Sequence, residues 1–486
     1  MSEHGSFTNE ESYLDDHNGS VKGVVRIASV AALGGFLFGY DSAVINGAVA
    51  SIEHQFDVAP AVLGFAVASA LLGAAGGALS AGRLADRIGR LTVMKIAAVL
   101  FFVSAIGTGI APNLTTLIIF RIVGGIGVGV ASVIAPAYIA EISPAHIRGR
   151  LGSLQQLAIV TGIFLSLLVD FILAQMAGGA GEMLWLGMEA WRWMFIAMVI
   201  PAIAYGLLAL TIPESPRYLV SKHRIPEARK ILTALLGEKN LELTIDRIQR
   251  SLDRDKPPSW SDLKSPFGKV YPIVWVGLAL SVFQQFVGIN VIFYYSNILW
   301  QAVGFSESGS FVITVIGAIV NIATTLIAIA SVDRFGRKPL LLIGSAGMAI
   351  TLGTMAFIFG TAGVDAAGKP VLEGAAGPIA LVAANLFIVA FGMSWGPVVW
   401  VLLGEMFPNR IRGAALSLAA GGQWVANWLI TVSFPAMKDF SLGLAYGFYA
   451  ACAILSFIFV SKFVTETKGQ SLEDMDSHLT PGAVTK

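Results

Sequence analysis

The chain has 486 residues, of which 55% are hydrophobic and only 13% charged, with a formal net charge of +1. Soluble proteins carry about a quarter charged residues, so this composition excludes an ordinary water-solvated domain, and the balanced charge gives no sign of a nucleic-acid partner. A single cysteine, Cys452, excludes a disulfide framework and a thiolate metal site.

Residues 1–24 are polar and of mixed sign. They lack the charged start, apolar centre and small-residue cleavage site of a signal peptide, and read as a cytoplasmic tail. Twelve apolar runs follow, each near or above the roughly 20 residues a membrane-spanning helix needs. They cover 25–50, 60–81, 91–111, 114–139, 152–175, 193–212, 269–300, 308–330, 339–361, 377–403, 413–435 and 443–463. Span 1 contains FGYDSAVING, where Asp41 is the only formal charge between Ile27 and Ile52. Span 4 contains IIFRIVGG, with Arg121 its only charge before Glu141. Span 5 carries Gln155, Gln156 and, near its far end, Asp170, which reads as interfacial. Residues 214–268 are the one substantial polar piece. PEARKILTALLG and LELTIDRIQRSLDR within it have helical spacing, and short helices lying against the cytoplasmic face are expected. Residues 464–486 form a second polar tail. Most of the glycines fall inside the apolar runs, where small residues allow helices to pack closely.

The basic residues sit in alternate loops. Arg83, Arg87 and Arg90 follow span 2, Arg148 and Arg150 follow span 4, Arg334, Arg337 and Lys338 follow span 8, and Arg410 and Arg412 follow span 10. SIEHQFDV, Pro112–Asn113 and SESGS have no Lys or Arg. Positive loops stay inside, so both termini and the 214–268 segment are expected in the cytoplasm of a cell-membrane protein. The same loops carry an internal repeat. EISPAHIRGR after span 4 and EMFPNRIRGA after span 10 share E-x-x-P-x-x-x-R-G. DRIGR (Asp86 to Arg90) matches DRFGR (Asp333 to Arg337), and PESPR at Glu214 matches TETKG at Glu466. Offsets of about 250 residues divide the chain into 25–213 and 269–463, two parallel six-span halves that fit a transporter rocking around a central site.

The membrane runs also hold uncharged amides beside aromatic rings. Amides both donate and accept hydrogen bonds, which suits the hydroxyl rim of a sugar, and rings suit its C–H faces. Span 7 carries Gln284, Gln285, Asn290, Tyr294 and Tyr295, with Gly288 placed to permit a break. Span 8 adds Asn321, span 10 adds Trp395 and Trp400, and span 11 carries Gln423, Trp424 and Asn427. A lone intramembrane amide is as readily interhelical glue; the set points to sugar. GMSWG (392–396) fits a nucleophile elbow, but it lies in a membrane run, not at a strand–turn–helix, and only His478 follows it. No hydrolase, phosphate-loop or metal pattern remains, so no enzyme activity, metal or cofactor is expected.

Together GRLADRIGR (82–90), PESPRYL (213–219), QQFVGIN (284–290), DRFGRKP (333–339) and VTETKG (464–469) resemble the signature set of the sugar porter family of the major facilitator superfamily, across nearly the whole chain. The run GGFLFGYDSAVING is most similar to bacterial proton-coupled members. One departure is Thr465, where the family's last motif usually has proline. The resemblance implies an all-α fold of twelve transmembrane helices and a monosaccharide substrate, glucose first and xylose or galactose next. It implies sugar contacts at Gln156, Gln284, Gln285, Asn290, Asn321, Trp400 and Gln423, to which the pattern of span 11 adds Trp424 and Asn427. The repeated charges Asp86, Arg90, Glu141, Arg148, Asp333, Arg337, Glu405 and Arg412 are expected to gate the cytoplasmic side by ion pairs that opening would break. A monomer is expected.

By the helical rise, Asp41 lies roughly 20 Å from the inner surface and Arg121 about 10 Å from the outer one. An intramembrane ionisable residue is a functional candidate with its partner named. Burial favours the neutral carboxyl and a nearby cation the charged one, so Asp41 is expected to carry the coupling proton with Arg121 as its movable counter-ion. A facilitator with a permanent Asp41–Arg121 pair is the alternative. A membrane sugar sensor fits less well, because such a sensor would be expected to have long signalling tails.

Overall fold

A computed structural model describes residues 21–143, 148–236, 241–254, 260–265, 268–366, 370–408 and 411–468. Span 1 is Val21–Ala43 continued by Ile45–Gln55. Spans 2 to 5 are Pro60–Ile88, Arg90–Gly109, Leu114–Ile142 and Arg148–Ala177. Span 6 runs as Ala190–Ile196 and Val199–Ala209. In the second half, span 7 is Pro272–Phe286 and Ile289–Ala302, span 8 is Glu307–Phe335 and span 9 is Arg337–Gly360. Span 10 is Ala376–Gly392 and Trp395–Met406, span 11 is Arg412–Phe440 and span 12 is Leu442–Phe463. Among the described residues, eleven helical stretches are long and apolar enough to cross a membrane. Span 11 is the twelfth; Gln423 and Asn427, the polar residues singled out above, dilute its apolar character. This is the twelve-helix architecture expected from the sequence.

Local chemistry sets the helix ends. Pro60 and Pro272 occupy first-turn positions, where the missing N–H costs nothing. The Asn113, Ser306 and Ser441 side chains accept from the backbone N–H groups of Thr116, Gly309 and Leu444, satisfying donors that a helix start leaves open. Gly89 and Gly336 turn the chain between spans 2 and 3 and between spans 8 and 9 at φ of 97° and 87°, a region that glycine adopts without steric cost. Spans 2 and 4 lie backbone to backbone: a Cβ on Gly73 would stand 2.1 Å from Ile122 O, and one on Gly125 would stand 1.9 Å from Ala70 O.

Within the first half span 2 packs on span 4 and span 1 on span 5; within the second, span 9 packs on spans 10 and 12. The halves meet where span 2 lies against span 11, span 5 against span 8, and the far piece of span 1 against the far piece of span 7. Three ties join them at the face opposite the termini. Asn46 Nδ2 donates to Phe293 O (3.1 Å) while Asn297 N donates to Asn46 Oδ1 (3.0 Å). Ala180 N donates to Glu307 Oε1 (2.8 Å), and the Gln175 amide donates to Ser308 Oγ. Between the halves, helices Pro216–Ser221, Ile225–Leu236 and Leu241–Arg254 share a small apolar cluster of Leu219, Val220, Ala228, Leu232 and Ile245.

Candidate functional site

The two charges singled out in spans 1 and 4 meet. Asp41 is 1% exposed and Arg121 2%. Arg121 Nη1 donates to the main-chain oxygen of Asp41 at 2.9 Å and stands 3.9 Å from its carboxylate Oδ2. Span 1 breaks at Val44, leaving carbonyls of its last turn open, and the guanidinium takes one of them. Asp41 Oδ2 and Arg121 Nε have no hydrogen-bond partner. The pair is therefore close but not clasped, with the arginine anchored on the backbone. The Phe195 ring lies 6.0 Å from the guanidinium carbon. Arg121 shares one cleft with Ser42, Ile45, Val67 and Tyr294, so it faces the second half across the centre of the molecule.

The amides of span 7 gather at the break foreseen at Gly288, which has φ 83° and whose added Cβ would stand 2.7 Å from the Tyr449 ring. Asn290 Nδ2 donates to Gln285 Oε1 at 2.6 Å across that break. Gln284 Nε2 donates to Trp395 O (2.8 Å) and Gly396 O (3.1 Å), while its Oε1 has no partner. Both carbonyls belong to the first turn of the second piece of span 10, which starts at Trp395 after a break that follows Gly392. Asn427 of span 11 is buried and accepts from Thr431 Oγ1; its side chain also reaches Tyr294. Asn321 is buried beside the span 10 break, its Oδ1 4.0 Å from the position of a Cβ on Gly392. Gln423 and Trp424 are half-buried, whereas Gln156 and Trp400 are exposed. Gln155, not Gln156, is the buried amide of span 5: it packs on Gly35 and both its polar atoms are without partners. Trp395 is fully buried and held by Leu341 O and Ser345 Oγ, a structural post for the span 10 break.

At the face carrying the termini, the repeated motifs build one arrangement twice. Arg90 Nε and Nη2 grip Glu141 at 3.1 and 2.9 Å; Arg337 grips Glu405 at 2.9 and 2.6 Å. Ser215 Oγ donates to Glu141, as Thr467 Oγ1 does to Glu405. Glu214 accepts from the backbone N–H of Arg90 and Leu91. Glu466 accepts from those of Arg337 and Lys338. Spans 3 and 9 thus begin on a borrowed carboxylate cap, a function of Glu214 and Glu466 that the motif spacing does not reveal. Burial pushes the Glu466 carboxyl up, but the backbone donors of Arg337, Lys468, Lys338 and Thr467 outweigh it and hold it below the usual range. Asp86, 73% exposed, adds a 3.0 Å contact to Arg90, and Arg412 donates to Phe407 O. The side chains of Arg148 and Asp333 lie outside the described residues. Each of these grips ties helices within one half. Sequence reasoning also missed the breaks in spans 1, 6 and 10 and the full burial of Asp170, expected at the interface.

Two six-span halves closing around buried amides on one side and a buried ion pair on the other define a membrane carrier. The family model "Sugar (and other) transporter" matches residues 27–479, and the chain belongs to that family. It is 56% identical to the glucose transport protein of Synechocystis sp., covering 96% of this chain and all of that one. It is 40% identical to the D-xylose-proton symporter of Escherichia coli, covering 93% and 95%. Among solved structures, the inward open conformation of the xylose transporter XylE from E. coli is similar with a TM-score of 0.79 and 38% identity, over 93% of this chain and 99% of that one.

Proposed function

We propose that the protein moves a monosaccharide, glucose first, into the cell together with a proton, as a monomer whose halves alternate access to a central site. The basic loops orient the termini toward the cytoplasm, which makes the face closed by Asn46, Glu307 and Ser308 the outer one. The sugar lies against Gln284, Gln285, Asn290, Asn321, Gln423, Trp424 and Asn427, with Gln156 and Trp400 reaching it from the open side. Gln284 Oε1, buried and without a protein partner, is suited to a sugar hydroxyl, since a buried acceptor left unmade is costly.

The observation that carries the coupling is the loose geometry of Asp41 and Arg121. An arginine clasping both carboxylate oxygens would fix the charge, whereas one resting on the main-chain carbonyl at 2.9 Å with the carboxylate at 3.9 Å can approach or leave it with little movement. Approach favours the carboxylate and withdrawal the acid, so a shift of the Arg121 side chain, as the second half moves past the cleft it shares with Tyr294, loads and unloads a proton. Arg90–Glu141 and Arg337–Glu405 keep each half stiff at the inner face, so that rocking is rigid-body motion. Uptake into proteoliposomes of a panel of labelled sugars, with and without an inward proton gradient, tests the reading. Accumulation above equilibrium is expected only with the gradient and first for glucose; equal plateaus in both conditions would make the protein a facilitator.

A further inference from the structure

Span 5 carries a second buried acid. Asp170 is 0% exposed. Its Oδ2 accepts from the backbone N–H of Gly47 at 3.2 Å, and its Oδ1 has no partner. Gly47 is in the first turn of the Ile45–Gln55 piece of span 1, so its N–H is one of those a helix start leaves open. The fit requires glycine: an added Cβ would lie 2.6 Å from Asp170 Cγ. Toward the inner face the surroundings are apolar, with Ala43, Leu167 and Ala318 in one cluster.

The ionisable groups on the neighbouring elements are otherwise engaged. On span 1, the Tyr40 hydroxyl donates to Met194 O, and Asp41 faces Arg121 of span 4. On span 6, Arg192 is bound by Glu189 and by the carbonyls of Gly109 and Ala111. On span 8, Glu307 takes the Ala180 N–H, and Glu182 in the loop after span 5 is exposed. Among the described residues no cation stands within ion-pair distance of Asp170. Around it are the ties that close the outer face. Asn46, the neighbour of Gly47, binds span 7, and Gln175 and Ala180, beyond Asp170 on the chain, bind span 8.

We propose that Asp170 is a second proton-binding site, distinct from the Asp41 site and linked to the outer gate. A carboxylate buried without a counter-ion is disfavoured and neutralises, so closing the outer face requires a proton on Asp170. Opening parts span 5 from span 8 and lets water in. The Oδ1–H bond then breaks, the proton passes to outside water, and the carboxylate remains as a charged cap on Gly47 N–H. Closing reverses each step. Acid outside therefore favours the closed outer face even when no proton crosses the membrane. The inference rests on the transporter reading and on its orientation, not on the role of Asp41.

The test measures the outer opening by electron–electron spin distances between labels at Met176→Cys and Val312→Cys, both exposed positions of spans 5 and 8. The protein carries Cys452→Ser and Asp41→Asn, so that Asp41 cannot titrate, and is measured in liposomes from acid to alkaline pH. The outward-open population is expected to rise at least about threefold as pH rises, and to become small and pH-independent when Asp170→Asn is added. Asparagine keeps an oxygen for the Gly47 N–H, and retained glucose binding shows that the variant is folded. As a measurement that does not depend on that variant, Asp170→Glu should keep the pH dependence and shift the infrared carbonyl stretch of a protonated carboxyl. A pH-independent opening in the Asp41→Asn protein, or a dependence that survives Asp170→Asn, overturns the inference. Loss of the proton-symport reading would appear elsewhere, as gradient-independent sugar uptake.

Discussion

The two halves are alike at their inner ends and unlike in their middles. Arg90, Glu141, Glu214 and Ser215 are reproduced contact for contact by Arg337, Glu405, Glu466 and Thr467. Midway through the membrane the correspondence ends. The first half holds the buried charges Asp41, Arg121 and Asp170 beside two buried amides, Asn46 and Gln155, and the second holds the buried amides Gln284, Gln285, Asn321 and Asn427. The shared part is what any half needs in order to move as a rigid body. In the proposed mechanism the part that differs is the chemistry: the charges of the first half read the proton, and the amides of the second half, with Gln156 of the first, hold the sugar. Coupling is then a property of the interface between them, where the cleft beside Arg121 is completed by Tyr294.

This division is open to attack at several points. The largest effect is expected from Gly288→Ala, which needs a positive φ and meets the Tyr449 ring. It should cost about 3 kcal/mol in thermal stability and weaken sugar binding, while Gly152→Ala, with nothing within 4 Å, should change stability by less than about 0.5 kcal/mol. Gln284→Ala should weaken sugar affinity by roughly tenfold or more, the cost of one buried hydrogen-bonding group. The proton-to-sugar ratio measured in the same vesicles should stay unchanged; a changed ratio would mean that the halves are not chemically separate. Glu141→Ala and Glu405→Ala should each lower stability by about 1–2 kcal/mol, and by nearly equal amounts, since their arginine partners are similarly buried at 11% and 9% exposure. The smallest effect concerns Glu466. Its carboxyl is held below the usual value, so its stabilisation is complete above about pH 4.3 and is lost as pH falls through its lower folded-state value. Glu466→Gln should flatten that acid limb of the melting-temperature profile and leave the neutral region little changed.

Much of this was legible in the sequence because lipid enforces strong patterns. Twelve apolar runs, alternating basic loops and three repeated motifs gave the helices and their halves. Asp41 and Arg121 were recognisable as partners because charges are rare at that depth, and Gly288 marked the span 7 break because glycine alone adopts its conformation cheaply. The break of span 1 at Val44 carries no such mark. It persists because Arg121 and Asp170, distant in the chain, satisfy backbone groups on either side of it. Asp170 was misplaced for a related reason: its position near a helix end suggests an interface, but spans 1, 6 and 8 fold over it. Gln155 and Gln156 are neighbours in sequence with opposite burial, a choice of helix face that composition does not make. The caps formed by Glu214 and Glu466 depend on a return of the chain to the start of an earlier helix, which spacing within a motif cannot express.

The central claim, that Asp41 and Arg121 couple a proton to sugar, is tested most directly with Asp41→Asn in proteoliposomes, comparing uphill glucose accumulation under an inward proton gradient with glucose counterflow in its absence. Accumulation should fall to the equilibrium level while counterflow persists. Accumulation that survives the substitution would contradict the account.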